Sequence, residues 1–472
     1  MLRTLTKLVL VACFMFATAA MAVDKAKALP KQVLFKNVNV FNGTEDKLYK
    51  NHNVLVEGNK IKSISTKAIK TNSNVTTIDG KGMTLMPGLI ESHVHLNLQH
   101  VVGGYDTLEQ RDWQEIGAMG AFAAQSLLKD GWTTARDPGA TIAGMRRAID
   151  RGDAIGPRLY LATGVITQTS GHGDWRLTGQ RTLESRATYK AGLLGMTHIV
   201  DGHDATLSAV RQNLANGAAF TKFMLSGGIF SSKDPLHVKQ HTDEEIKAMV
   251  QASSDWGTYV TAHTFLAEHA QRGIRLGLKE IMHVPFMDKK TANMFVKHGV
   301  YYNPQLAASN PESLDVIFGP GESVNKAKAR KAQVGMKNVV NILKDTPELM
   351  ELTAFGVDVV TVKPTDALRQ RDYEMYFWAK NFGNFATLRS MTSIGGKVAA
   401  LTGKLNPYPD GKLGVIEAGA YADILLIDGN PLEDITLLGG SPNQYTAPDR
   451  QAGNIPAMKV IMKDGKIYKN TL

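Results

Sequence analysis

Apolar and polar positions alternate from Val33 to Phe41, and Val54-Leu55-Val56 runs through a Glu57-Gly58-Asn59-Lys60 turn into Ile61–Ile64. Short runs of this kind, broken by Gly and Asn, predict a small antiparallel sheet. From Leu85 the rhythm changes. Apolar runs at Leu85–Ser92, Thr133–Arg136, Arg158–Ala162, Phe220–Met224, Tyr259–Ala262 and Glu280–His283, a weaker one near Tyr301, and one at Leu352–Val357 read as strands. Between most of them lie helical patterns, as at Trp113–Leu128, Thr206–Asn216, Thr242–Ser253 and Lys289–His298. Strand and helix in repeated alternation predict a parallel (β/α)8 TIM barrel. The polar, Gly- and Pro-containing stretch Asn303–Lys331 reads as a long loop near the barrel mouth.

Short strands return at Ala422–Ile427 and Met458–Tyr468. The expected organisation is therefore a barrel over 85–405 and a smaller β-sandwich built from both chain ends, 23–84 and 406–472. Residues 1–22 read differently again. Arg3 and Lys7 precede the apolar run Leu8–Ala19, and Ala20-Met21-Ala22 is a small-x-small cleavage signature. That order predicts a signal peptide, export to the periplasm or medium, and a mature chain starting at Val23. The rival readings are a retained anchor helix and lipoprotein processing at Cys13. Cleavage after Ala22 removes the one cysteine, so no disulfide and no thiolate ligand is expected in the mature chain.

Composition changes little in this picture. The chain has 472 residues, 43% hydrophobic and 21% charged, which is ordinary for a globular protein. Its net charge of +10 is spread along the chain without an aromatic-interleaved basic stripe, which argues against a nucleic-acid partner.

The candidate chemistry sits at predicted strand ends. His93-Val94-His95 follows the run Thr84–Ile90, and residues two apart in a strand project the same way. His263 ends Thr258–Ala262, and His283 ends Ile281-Met282 one helix later. Histidines at successive strand ends can share a metal. His269, in the intervening helix, is expected to be exposed. Lys222 lies inside the strand Phe220–Met224, where a buried ammonium is costly. It either reaches the mouth or pairs with Asp358, or it is chemically modified. Asp358 ends Ala354–Val357, with Asp366 as the rival acid. His172 lies in Ser170-Gly171-His172-Gly173, where it could equally be a loop histidine without a role.

Taken together these blocks resemble the amidohydrolase superfamily. GMTLMPGLIESHVHL (82–96) is similar to its strand-one signature, with Glu91 where Asp is usual. GWTTARDPGA (131–140), GPRLYLATGVITQTSGHGD (156–174) and DGHDATLSAVRQNLANGAAFTKFMLSGG (201–228) resemble its second, third and carboxylated-lysine blocks. GKLGVIEAGAYADILLIDGNPLEDI (411–435) resembles its closing β block. Among subgroups the chain is most similar to the prolidase and carboxypeptidase-like members, which include ochratoxin-degrading enzymes. One departure is FGVD (355–358), where Thr more often precedes the Asp.

The resemblance implies two divalent metal ions, zinc by ligand type. His93, His95 and Asp358 would hold one, His263 and His283 the other, and Lys222 carboxylated by CO2 would bridge them. Asp358 would also move protons, and His172 would stand beside the scissile bond. The implied activity is hydrolysis of an amide in a dipeptide or N-acyl amino acid by a homo-oligomer, with a small-molecule or short-peptide substrate. Rivals are a lactone or cyclic-amide hydrolase, a mononuclear deaminase, which would not need Lys222, and a non-catalytic binding protein, which should have lost ligands. No Gly-x-Ser-x-Gly elbow supports a serine route.

Overall fold

The computed structural model describes residues 29–310 and 312–472. The predicted signal peptide lies outside these. Among the described residues no helix is long and apolar enough to cross a membrane.

The two chain ends form one sheet. β1 (Gln32–Val40), β2 (Tyr49–Glu57), β3 (Lys60–Ser65), β4 (Val75–Asp79) and β5 (Thr84–Pro87) come from the first part of the chain. The barrel-side strands are β6 (Leu89–Glu91), β7 (Trp132–Asp137), β8 (Arg158–Leu161), β9 (Val165–Thr167), β10 (Thr197–Ile199), β11 (Thr221–Met224), β12 (Val260–Leu266), β13 (Glu280–Phe286) and β14 (Tyr301–Asn303). β15 (Ile424–Ile427), β16 (Met458–Lys463) and β17 (Lys466–Asn470) close the chain. The terminal sheet runs β17-β16-β15-β5-β1-β2-β3, with β4 on β1. The ends meet where β15 pairs antiparallel with β5, Leu425 opposite Met86. Alternating inward positions such as Val33, Phe35, Val54, Val56, Ile424 and Leu426 give this sheet its own core.

The barrel strands pair parallel, in the orders β6-β7-β8 and β10-β9-β11-β12-β13-β14. Helices cover them in alternation, giving a TIM-barrel-like α/β domain. The helix Trp113–Lys129 starts where Asp112 accepts from the Glu115 amide, and Asp243–Asp255 starts at a Thr242/Glu245 capping box. Arg158 ties the two parts together. Its buried guanidinium donates to Asp423 at 3.0 Å, pairs with Asp464 and lies 3.9 Å over the Tyr421 ring.

Four expectations change. The run Leu85–Ser92 is two strands, split at Gly88 between the terminal sheet and the barrel. A side chain at Gly88 would run into Thr133, so only glycine lets the chain pass. The run Arg158–Ala162 continues, after a break at Thr163 (φ 61°), into β9, and β10 was not foreseen. The segment Leu352–Val357 forms no strand, only an isolated parallel bridge from Thr353 to Tyr302. It docks through Tyr302 N–H to Leu352 O (2.9 Å) and Ser92 N–H to Phe355 O (3.0 Å), between β14 and the end of β6. Finally, Asn303–Lys331 is not one loop. It holds the helix Ser313–Phe318 and the start of Val324–Lys344, whose buried Ala329, Ala332, Met336 and Val339 follow helical spacing.

Candidate active site

The mouth of the parallel sheet gathers the side chains that the sequence singled out. His93 and His95 follow β6, the chain bending at Ser92 and His93, and their rings converge with Nε2 atoms 3.3 Å apart. The segment 352–358 carries Asp358 beside them. Its amide donates to His93 O at 2.9 Å, and its Oδ1 lies 3.4 Å from His93 Nε2 and 3.3 Å from His95 Nε2. His263 (β12) and His283 (β13) face each other with ring centroids 4.4 Å apart, and His283 stands 5.1 Å from the His93 ring. One ligand atom each from His93, His283 and Asp358 lies within a 4.8 Å cluster. His283, Val284 and Asp358 all take positive φ (70°, 40° and 56°). For the β-branched Val284 that is a strained conformation, of the kind concentrated at functional sites.

Lys222, on β11, is 2% exposed and points into the same space. Its Nζ lies 2.8 Å from Met282 Sδ, and among the described residues no carboxylate stands within ion-pairing distance. The expected alternative of a Lys222–Asp358 salt bridge is therefore not what the structure has. Burial pushes the amine down to about 7, against the partly opposing pull of Asp358 and Glu280. Asp366, the rival acid, lies on the helix Pro364–Phe382 and pairs with Arg369 at 3.2 Å. His269, expected to be exposed, is buried at 3%, because its position on the short helix Ala267–Arg275 faces inward with Ala270 and Ile274.

Hydrogen bonds at the outer nitrogens fix the rings. His95 Nδ1 donates to Gly139 O (2.8 Å), His93 Nδ1 faces Asn303 Oδ1 (3.3 Å), and His283 Nδ1 donates to Gln305 Oε1 (2.5 Å). Gln305 in turn donates to Asn303 Oδ1 at 2.8 Å. At His95 and His283 the donating Nδ1 carries a proton, which leaves Nε2 directed at the site. Burial pushes His93 and His263 well below the usual imidazole range, and His283 down to about 3. Burial alone would raise Asp358, but His93, His95 and His283 outweigh it and hold the acid ionised.

This donor set fits divalent cations. His93 Nε2 and His95 Nε2 stand 3.3 Å apart with Asp358 Oδ1 beside both; burial opposes the charged form of His95, but Asp358 outweighs it and raises that ring. His263 Nε2 is buried with no hydrogen-bond partner among the described residues. Imidazoles around an ionised carboxylate are what such cations bind.

Sequence reasoning missed Asn303 and Gln305, which sit at and beyond the end of β14 in what read as loop. It also missed Gln444 and Tyr445, which reach the cavity from the C-terminal part of the chain. No spacing or motif marks any of them. Gln305→Ala should leave the fold intact and free the His283 ring. Metal affinity, measured by competition with a chromophoric chelator, should fall about 10–100-fold. Unchanged affinity would mean that Gln305 only fills space.

The sequence profile of the amidohydrolase family matches residues 84–369, more than half of the chain. The chain belongs to the amidohydrolase family. It is 27% identical to the ochratoxinase of Aspergillus niger over 392 residues, 82% of this chain and 75% of that one. A solved amidohydrolase aligns with a TM-score of 0.82 at 28% identity, covering 94% of this chain and 100% of the other. A prolidase solved in complex with N-methylphosphonate-L-proline aligns with a TM-score of 0.80 at 25% identity, covering 93% and 100%. The match places this amidohydrolase on the prolidase-like side of its family, as a hydrolase of amide or peptide C–N bonds.

Proposed function

We propose that this amidohydrolase uses two divalent cations, zinc by ligand type, to cleave an amide bond in a dipeptide or N-acyl amino acid. The observation that carries the reading is the convergence of His93, His95, His263, His283, Asp358 and a buried Lys222, unpaired among the described residues, at one end of the parallel strands. His93, His95 and Asp358 would hold one ion, and His263 and His283 the other. Lys222 would be carboxylated and shared. Bound cations supply Lewis acidity and make water a nucleophile near neutral pH.

The chain's own residues do the rest. Asp358 is ionised and 25% exposed toward the cavity, so it can take the proton of the attacking water and pass it to the leaving amine. His172 stacks on His263 at 4.3 Å and is placed to steady the substrate carbonyl. Tyr105 and Trp175, with ring centroids 4.7 Å apart, line the cavity with Phe230 and Phe318 and favour a large apolar or aromatic substrate group. Lys222 is the one Lys or Arg among the described lining residues, so a substrate carboxylate would meet neutral donors such as Gln333, Gln370 and Tyr445.

We propose further that the strands close as an eight-stranded barrel through the 352–358 segment, and that the terminal sheet folds as a sandwich. Export after cleavage near Ala22 and a homo-oligomeric state complete the reading. The test is a screen of dipeptides and N-acyl amino acids against metal-loaded and chelator-treated enzyme. Amine release that chelation abolishes and zinc restores is expected. Full activity in a metal-free preparation would overturn the proposal.

A further inference from the structure

His172 lies in a loop that follows β9, and its support comes from a second loop. Its Nδ1 lies 2.8 Å from Asp234 Oδ2. Asp234 is 0% exposed, and the same Oδ2 accepts the Gly228 amide at 2.8 Å. Gly228 passes directly over the site: a Cβ there would collide with both His172 and His263. From the other side, Lys328 on the helix Val324–Lys344 sends its buried ammonium into the same loop. It donates to Gly228 O (2.8 Å), Ser231 O (2.5 Å) and Asp234 O (2.6 Å). All three of its protons are thereby spent on the backbone of one short segment.

We propose that Asp234 is a positioning residue for His172, and that Lys328 clasps the 228–234 loop so that Asp234 stays in place. This rests on the role given to His172 above. The carboxylate holds the proton on Nδ1, which leaves Nε2 facing the cavity. The stack on His263, with rings only 18° from parallel, fixes the other degree of freedom, because a rotated ring would lose both contacts. A carboxylate behind a histidine stabilises one tautomer and one orientation, and the ring works only in that state. Two residues that no sequence motif joins to the site, one of them on a helix 94 positions beyond Asp234, thus set the ring that meets the substrate.

A simpler role is available. Asp234 could merely cap the loop through the Gly228 amide. Asp234→Asn separates the two, because an asparagine oxygen can still accept from Gly228 while the charge behind Nδ1 is gone. The first readout is independent of turnover: long-range proton–nitrogen correlation spectra of zinc-loaded holoenzyme labelled with 15N-histidine. The His172 signals are identified by their loss in His172→Gln. The wild-type ring should show a protonated Nδ1 and an unprotonated Nε2. In Asp234→Asn this tautomer should give way to a mixture, and Lys328→Met should shift the same signals in the same direction if the asparagine variant folds poorly. A His172 spectrum unchanged in both variants would overturn the proposal.

The second readout is kcat on whichever dipeptide the screen shows to be cleaved. Asp234→Asn should lose about 10²-fold, with metal content unchanged. The double variant with His172→Gln should be no worse than His172→Gln alone, since the two act as a unit. If His172→Gln is itself harmless, the role of His172 fails. If it is damaging while Asp234→Asn is near wild type, that role survives and this inference fails.

Discussion

Replacing Asp358 by asparagine should cut turnover by about 10²–10⁴-fold, the usual worth of a positioned acid–base group, while the protein remains folded. Retention of the fold is expected because position 358 has φ 56°, a left-handed conformation that Asn tolerates as well as Asp. The side chains are nearly isosteric, and the backbone bond from residue 358 to His93 O at 2.9 Å does not involve the carboxyl. What disappears is the anion that lies 3.4 Å from His93 Nε2 and 3.3 Å from His95 Nε2. An amide can neither accept the proton nor balance a cation, so metal affinity should also fall. Asp366→Asn, which disturbs only the contact to Arg369, should be near wild type. Steady-state kinetics and elemental analysis of both variants check this. The reverse pattern, with Asp366→Asn dead and Asp358→Asn active, would show that the wrong carboxylate has been assigned.

The second large effect is expected at Lys222. A bare ammonium here is costly twice over. It is 2% exposed with no carboxylate of the described residues at ion-pairing distance, and two divalent cations nearby would repel it. Carboxylation by CO2, as proposed, would replace that cation with an anion carrying two oxygens. It requires a neutral amine, and burial, which brings Lys222 down to about 7, provides one. Lys222→Ala should therefore lose metal and activity together, and formate or acetate in the vacated space should restore part of both. Lys222→Met separates fold from function. It fills the same volume without burying a charge, so thermal stability of the metal-free protein should match or exceed wild type while bound metal drops. A Lys222→Met enzyme with full metal content and activity would remove Lys222 from the site.

Much of this architecture is legible in the sequence because it rests on local patterns. The spacing of His93 and His95, and the single helix between His263 and His283, fix which way each ring points once the strands are parallel. The helices Trp113–Lys129 and Asp243–Asp255 follow from periodicity and from Asp112 and Thr242 at their caps. The failures have equally physical causes. Gly88 divides a continuous apolar run because Thr133 lies against it, a contact between residues far apart in the chain. The Lys-rich start of Val324–Lys344 hides a helix whose buried face begins with Lys326, Lys328 and two alanines, Ala329 and Ala332, before it turns apolar at Met336 and Val339. Its Lys328 looks like a surface charge until three carbonyls are found around it. Asn303, Gln305 and Asp234 hold the rings from segments without periodicity, so only the folded chain reveals them.

The proposed site holds two metal ions bridged by a carboxylated Lys222. Its most direct test is a high-resolution crystal structure of active, zinc-loaded enzyme, read at one atom, Lys222 Nζ. The expected density is a planar three-atom extension lying between two metal ions, one held by His93, His95 and Asp358 and the other by His263 and His283. A bare Lys222 ammonium beside a single ion in a fully active crystal would contradict the account.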